Sequence, residues 1–323
     1  MMQKTRGLLR AAAGALAIVL VHPAMAQQEY PARSIRVIYP FAPGSGNDGI
    51  ARVLSQRLTV AWGQAVVVDN RAGAGGTIGA EMVAKSAADG YTLLVSTAAL
   101  AVNVTLFPKL PLRDLAPITQ ITSGGIAIVV HPSVPARNLK ELLALAKARK
   151  DGLNFGSNGP GTTSHLAGVW LQQLSGLKFT HIPYKGGSAA LTAVIGGEVE
   201  IAIQGSGSVQ ALIATNKLRG IAVTTLRKSR VLPDLPLVAS VFPGFDVDNW
   251  VAMWAPVGTP PAIINKIHAE VVKSLQHADA RPSFQVGDNQ PVGSTPAEFA
   301  AHLSREIDKY AKIIKASGAK SDQ

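Results

Sequence analysis

The chain has 323 residues, with 31 Lys and Arg against 20 Asp and Glu, a formal net charge of +11 and no cysteine. The missing cysteine excludes disulfide staples, thiol catalysis and lipid attachment through an N-terminal cysteine. The positive balance favours anionic partners, but the basic residues are scattered. Only Arg227-Lys228-Ser229-Arg230 approaches a cluster and no aromatic residue interleaves with it, so nucleic acid is not an expected partner.

Residues 1–26 read as a secretory signal peptide. Lys4, Arg6 and Arg10 form a basic start, Ala11 to Val21 is uncharged and apolar, and Ala24-Met25-Ala26 supplies the small-x-small cleavage pattern. About 11 apolar residues are too few for a hydrocarbon core that needs about 20. Cleavage would leave a soluble, exported chain starting at Gln27, with a formal charge of +8 because three of the 31 basic residues go with the leader.

From there, short β-branched runs alternate with Gly- or Pro-containing turns and amphipathic stretches, the pattern of an α/β fold with mostly parallel sheets flanked by helices. Strands are expected at Ser34 to Phe41, Ala65 to Asn70, Tyr91 to Thr97, Gly125 to His131, Leu153 to Gly156, Phe179 to Tyr184, Val199 to Gln204, Leu218 to Thr224 and Val251 to Val257. Apolar residues three and four apart predict helices over Gly49 to Trp62, Gly76 to Ala87, Leu139 to Arg149, Thr162 to Leu174 and Ser188 to Ile195. Two longer helices follow, Pro261 to Gln276 and Pro296 to Ile314, with Thr259 and Thr295 as expected N-caps. Proline and glycine cluster at 131–135 and 242–245, which predicts a middle lobe inserted between two segments. Lobe one is then 27–130 plus 250–323, lobe two is 131–249, and two chain crossings form a hinge.

Three strand-to-helix turns carry the chemistry: Pro43-Gly44-Ser45-Gly46-Asn47-Asp48, Gly156-Ser157-Asn158-Gly159-Pro160-Gly161-Thr162 and Lys185-Gly186-Gly187-Ser188. The first N–H groups of a helix lack internal partners and carry partial positive charge, and glycine lets an anion approach them. Carboxylate or phosphate would suit such turns, and an ordinary capped βα turn would look the same. Asp48 stands at a helix start, where capping and pairing with a ligand amine are both open.

Residues 44–49 also fit G-x-G-x-x-G, with Asp69 twenty residues beyond Gly49. Pro40-Phe41-Ala42-Pro43 separates that motif from its strand, and export removes the chain from the nicotinamide pool, so no cofactor is expected. G-x-S-x-G, H-E-x-x-H and the P-loop are absent. His165 and His181 are not spaced as a metal pair.

Three blocks, Val37-Ile38-Tyr39-Pro40-Phe41-Ala42-Pro43-Gly44 with Asp48, Asn70 through Ala80, and Asp89-Gly90-Tyr91-Thr92-Leu93-Leu94, occur in order. Phe155-Gly156-Ser157 with Gly159, Gly161 and His165 follows, then His181-Ile182-Pro183-Tyr184-Lys185-Gly186 and Ala255-Pro256-Val257-Gly258-Thr259-Pro260. Together they resemble the substrate-binding proteins of tripartite tricarboxylate transporters, also called the Bug family. The resemblance implies a two-lobed periplasmic-binding-protein fold that closes on a small carboxylate (a di- or tricarboxylate, an aromatic carboxylate or an acidic amino acid). It also implies a monomer without enzymatic activity, delivering its ligand to an integral-membrane permease.

Carried over residue by residue, the resemblance implies ligand contacts from Phe41, Gly44, Ser45, Gly46 and Asp48 on lobe one. On lobe two it implies Ser157, Gly159, Thr162, His165, Tyr184 and Gly186. The strand ends at Ser96-Thr97 and Gln204 join them, because ligands in open α/β sheets sit beyond the carboxyl ends of strands. An exported enzyme using His165 or Asp48 as acid or base, and a sensor presenting its ligand to a membrane kinase, are the competing readings.

Overall fold

A computed structural model describes residues 29–44 and 47–317; the expected signal peptide, Ser45 and Gly46 lie outside the described residues. The first segment runs β1 (Ile35–Tyr39), α1 (Asp48–Trp62), β2 (Val66–Asn70), α2 (Thr77–Ala84), β3 (Thr92–Thr97), α3 (Ala99–Leu106) and β4 (Leu115–Ser123). The middle segment runs β5 (Ile126–Val130), α4 (Leu139–Ala148), β6 (Leu153–Ser157), α5 (Thr163–Ser175) and β7 (Phe179–Pro183). It continues with α6 (Gly187–Ile195), β8 (Ile201–Gly205), α7 (Ser206–Ala214) and β9 (Arg219–Val223). The last segment holds β10 (Val251–Pro256), α8 (Pro261–Gln276), α9 (Arg281–Phe284), β11 (Gln290–Pro291) and α10 (Pro296–Ser317).

These strands form two sheets, ordered β2-β1-β3-β10-β4-β11 and β7-β6-β8-β5-β9. Each contains parallel pairs joined by crossover helices, β1 with β2 and β3 in one and β6 with β7 and β8 in the other. Most strands in each sheet share one direction. The exceptions are β10, antiparallel to β3 and β4, the short edge strand β11, antiparallel to β4, and β5, antiparallel to β8 and β9. β10 and β5 are each the first strand the chain makes after changing sheets, which is why they enter from the opposite end.

Both faces of both sheets are covered, as near-continuous apolar strands demand. Ile35, Val37 and Tyr39 of β1 pack into one core cluster while Ile38 enters another that holds Trp250, Trp254 and α10. In the second sheet, Ile126, Ile128 and Val130 face one cluster and Ala127 and Val129 the other. Period-two alternation along each strand therefore feeds two cores per lobe. Thr295 caps α10 in a reciprocal box, its hydroxyl accepting from Glu298 N–H at 3.2 Å while Glu298 Oε2 accepts from Thr295 N–H at 2.8 Å. Thr259 does not cap α8; its hydroxyl donates to the Pro256 carbonyl at 2.7 Å.

The boundary expected at 131 falls one strand late. β5 pairs in the second sheet, so the first crossing is Gly124-Gly125, where a two-glycine turn separates β4 from β5. The return crossing lies beside it. Asn249 N–H donates to Gly124 O at 3.0 Å, and Asp248 accepts from Gly124 N–H at 2.8 Å and from the Ser123 hydroxyl at 2.5 Å. Burial pushes the Asp248 carboxyl up to about 6, against the pull of those two donors. Trp250 and Trp254 are fully buried behind this hinge, and Trp170 stacks on Phe245 with centroids 4.5 Å apart. Hinge packing, not ligand stacking, occupies these rings.

Candidate functional site

Parallel pairing puts the carboxyl ends of β1 and β3 at one edge of their sheet and those of β6, β7 and β8 at one edge of theirs, and the glycine-rich turns follow β1, β6 and β7. On the first lobe, Asp48 opens α1 and its carboxylate is enclosed. It accepts from Gly44 N–H at 3.0 Å, Arg52 Nε at 2.7 Å and Asn70 Nδ2 at 2.9 Å. Asn70 also donates to Phe41 O at 3.1 Å. Burial alone would raise this carboxyl, but the Arg52, Asn70 and Gly44 donors outweigh it and hold the group below the usual carboxylate range. Asp48 therefore clasps its own loop. It is neither the N-cap, which is Asn47 with no side-chain bond, nor a carboxylate free to pair with a ligand amine.

Phe41 packs edge-on to Tyr39 with centroids 5.5 Å apart. Its Cζ lies 3.4 Å from where a β-carbon on Gly76 would sit, so the ring closes over the turn that opens α2. At the end of β3, Thr97 Oγ1 accepts from Ala99 N–H at 3.3 Å, while the buried hydroxyl of Ser96 has no partner among the described residues. Asp69, the acid of the dinucleotide-like spacing, is occupied by Arg36 and Arg71.

On the second lobe the polar side chains mostly hold one another. Fully buried Ser157 meets His181 Nε2 at 2.6 Å and accepts from Gly159 N–H at 3.1 Å. Thr162 is the N-cap of α5, its hydroxyl donating to Gly159 O at 2.7 Å and accepting from His165 N–H at 3.4 Å. His165 stacks on His181 with ring centroids 4.1 Å apart and accepts from Gly161 N–H at 3.3 Å. Burial, reinforced by His165, lowers His181 from 6.5 to about 3, so its ring is neutral at ordinary pH. The two histidines are a packed support beneath the Ser157–Thr162 turn.

Tyr184 follows β7 directly. Its half-buried ring packs beside Gly156 and Val199 at the edge of a core cluster, and Tyr184 N–H donates to Ser157 O at 3.1 Å. Gly186, at φ +107, begins α6 without a side-chain cap. Gln204 donates to Asn158 Oδ1 at 2.7 Å.

Asn103 joins the two sets of turns. It lies on α3, is fully buried, and donates from Nδ2 to Gly75 O at 2.6 Å on its own lobe. On the other lobe, a β-carbon on Gly161 would fall 2.1 Å from Asn103 Oδ1. Asn103 thus brings the two lobes together beside these turns, and open grooves of about 440, 520 and 570 Å³ lie beside the hinge, by α8 and between α5 and α10. Among the described residues no group of three or more His, Cys, Asp or Glu is placed to hold a metal ion.

Arg52, Asn70, Asn103 and Asn158 were not foreseen as site residues. A signal existed for Asn103, the lone amide in the otherwise apolar run Ala99–Leu106; a buried amide in such a helix must find partners. No local pattern marked the others.

Residues 50–319 match the tripartite tricarboxylate transporter family receptor. The chain is 37% identical to Protein BugT of Bordetella pertussis over 297 residues, covering 90% of this chain and 91% of that protein. Among solved structures, Rpa4515 of R. palustris with adipate is 29% identical with a TM-score of 0.84, covering 91% of this chain and 100% of that one. MatC from Rhodopseudomonas palustris with bound malate is 28% identical with a TM-score of 0.81, covering 88% and 100%. A two-lobed α/β fold, solved relatives that are binding proteins, and a family match over most of the length agree: the chain belongs to the tripartite tricarboxylate transporter receptor family, as a solute-binding receptor and not an enzyme.

Proposed function

We propose that this receptor works in the periplasm, captures a small carboxylate between its lobes and delivers it to an integral-membrane permease of the tripartite type. The observation that carries the reading is the Asn103 contact. An amide anchored to Gly75 on one lobe lies against Gly161 on the other, so the lobes meet beside their glycine-rich turns, and we place the ligand in the space between those turns. We take the lobes as 27–124 plus 250–323 and 125–249, turning about the Gly124 and Asn249 crossings.

The donors around that space favour an anion. α5 and α6 begin there, and their first N–H groups lack intrahelical acceptors and sit at the positive end of the helix dipole. The hydroxyls of Ser157 and Thr162 already serve their own turn, so backbone N–H groups are left as the main recognition elements. The adipate and malate complexes of two relatives support a carboxylate, and the leader-like residues 1–26 support export.

Calorimetric titration of protein beginning at Gln27 tests this, using di-, tri- and aromatic carboxylates and acidic amino acids, with adipate and malate in the panel. Saturable heat from at least one compound, recovered chemically unchanged, is expected. A flat response across the panel overturns the reading.

A further inference from the structure

One polar cluster at the cleft remains uncommitted. Gln204, at the end of β8, is 2% exposed. Its Nε2 is spent on Asn158 Oδ1 at 2.7 Å, and its Oε1 has no hydrogen-bond partner among the described residues. That oxygen is aimed at the start of α6. A β-carbon on Gly187, the first residue of the helix, would fall 2.8 Å from Gln204 Oε1 and 3.4 and 3.6 Å from the two terminal atoms of the Asn158 amide. Gly187 thus leaves room for two amides over the helix N-terminus, which has no side-chain cap.

The coupled amides present a fixed complement. One amide group of each residue is used in the bond between them, leaving one carbonyl acceptor and one NH2 donor facing the helix start. Turning both amides over exchanges which residue supplies which, but leaves one of each. The helix N–H groups add donors. A bare carboxylate could use the donors alone and would set its negative charge against the carbonyl oxygen. A group carrying acceptor oxygens beside a donor hydrogen would satisfy the whole set, and a buried acceptor left unmade is costly.

We propose that the Asn158–Gln204 amide pair at the N-terminus of α6 is a specificity subsite for the end of the ligand that bears a hydrogen-bond donor next to its oxygens, as in a 2-hydroxycarboxylate or a carboxamide. The inference rests on the cleft being a carboxylate site and adds which carboxylates it prefers. Gln204 sets the preference through its unpartnered oxygen, and Asn158 orients it.

The test uses paired probes, succinate against malate, which adds one hydroxyl, and adipate against its monoamide, which exchanges one carboxylate for a neutral amide, titrated by calorimetry into the wild-type protein and into Gln204→Leu. In the wild type the donor-bearing member of at least one pair is expected to bind roughly tenfold tighter, the loss typical of one unsatisfied buried acceptor. Gln204→Leu should bring that ratio close to one while the plain carboxylate still binds. Asn158→Ala, which removes the orienting bond and leaves Gln204 in place, should reduce the ratio in the same direction and gives a second readout if Gln204→Leu does not fold. Equal binding of both members of each pair by the wild type, or an unchanged ratio in the folded variants, overturns the subsite but leaves the carboxylate cleft standing. Absence of binding by all four probes and by the wider panel overturns the cleft reading, and this one with it.

Discussion

Asn103 Oδ1 on the first lobe occupies the space that a β-carbon on Gly161 of the second lobe would need, the two points being 2.1 Å apart. Gly161 also sits at φ +72, a conformation glycine adopts without penalty. Closure of the lobes thus depends on a missing side chain at one position. Gly161→Ala is expected to hold the turns apart and weaken ligand binding about tenfold or more, the scale of an overpacked contact costing about 1–3 kcal/mol. Asn103→Ala in the same protein should restore part of the affinity by vacating the space. Small-angle scattering checks the cause: ligand-induced compaction should be lost in Gly161→Ala and return in the double variant.

Asp48 holds the loop between β1 and α1 through three donors. Asp48→Ala should lower unfolding free energy by about 2–3 kcal/mol, the scale of lost hydrogen bonds to a charged group. Its carboxyl lies below 3.8 in the folded protein, so its contribution is complete above that value and disappears as pH falls through the lowered folded value. Urea denaturation at pH 7 and pH 3 measures both, and the variant should lose less between them than the wild type.

His181 acts in a higher window. Folded, it titrates at about 3 against 6.5 for a free ring, because burial and the stacked His165 disfavour its charge. Above 6.5 both states are neutral. As pH drops below 6.5 the unfolded chain takes up the proton first, so stability falls from there and levels off only near 3. His181→Gln should flatten the stability profile between pH 6 and 4, read from chemical denaturation at successive pH values.

Thr162 is the N-cap of α5 and closes the Ser157–Thr162 turn upon itself. Thr162→Ala should cost about 1 kcal/mol of stability and Thr162→Ser only a few tenths. Thermal unfolding without ligand isolates this effect from any change in binding.

Much of the fold was legible because buried parallel strands are short, β-branched and bounded by turns. Nine strands were expected and each is found within two residues of its expected ends. β4 was not, since Leu115–Ser123 carries Pro117, Gln120 and three Thr or Ser residues that read as irregular; it is a strand because its two neighbours supply the ladder. α3 escaped because Ala99–Leu106 is apolar on nearly all sides and shows no helical period. α7 escaped because Ser206-Gly207-Ser208 resembles a loop. The crossing was misplaced from 124 to 131 because the apolar run Ile126–Val130 looks the same in either sheet; sheet membership depends on long-range pairing that no local pattern encodes.

At the candidate site, the glycine turns were visible as turns, while the division of labour within them was not. Thr162 was expected as a ligand contact at the start of its helix and not as the cap, and the consumption of Ser157 by His181 and Gly159 needed the stacked histidine pair to be seen. The Tyr184 ring rests beside Gly156, whose missing side chain leaves it space. Asn103 is 28 residues from Gly75 on its own lobe and more than fifty from the Ser157–Thr162 turn on the other, so no sequence pattern groups it with either.

The central claim is that a carboxylate binds between these turns, and its position can be measured directly. Anomalous diffraction from crystals grown with a bromine-substituted dicarboxylate that competes for the site should place the bromine in the space bordered by Phe41, the Ser157–Thr162 turn and Gln204. A bromine peak on an outer face of either lobe, or in the grooves beside the hinge or between α5 and α10, would contradict it.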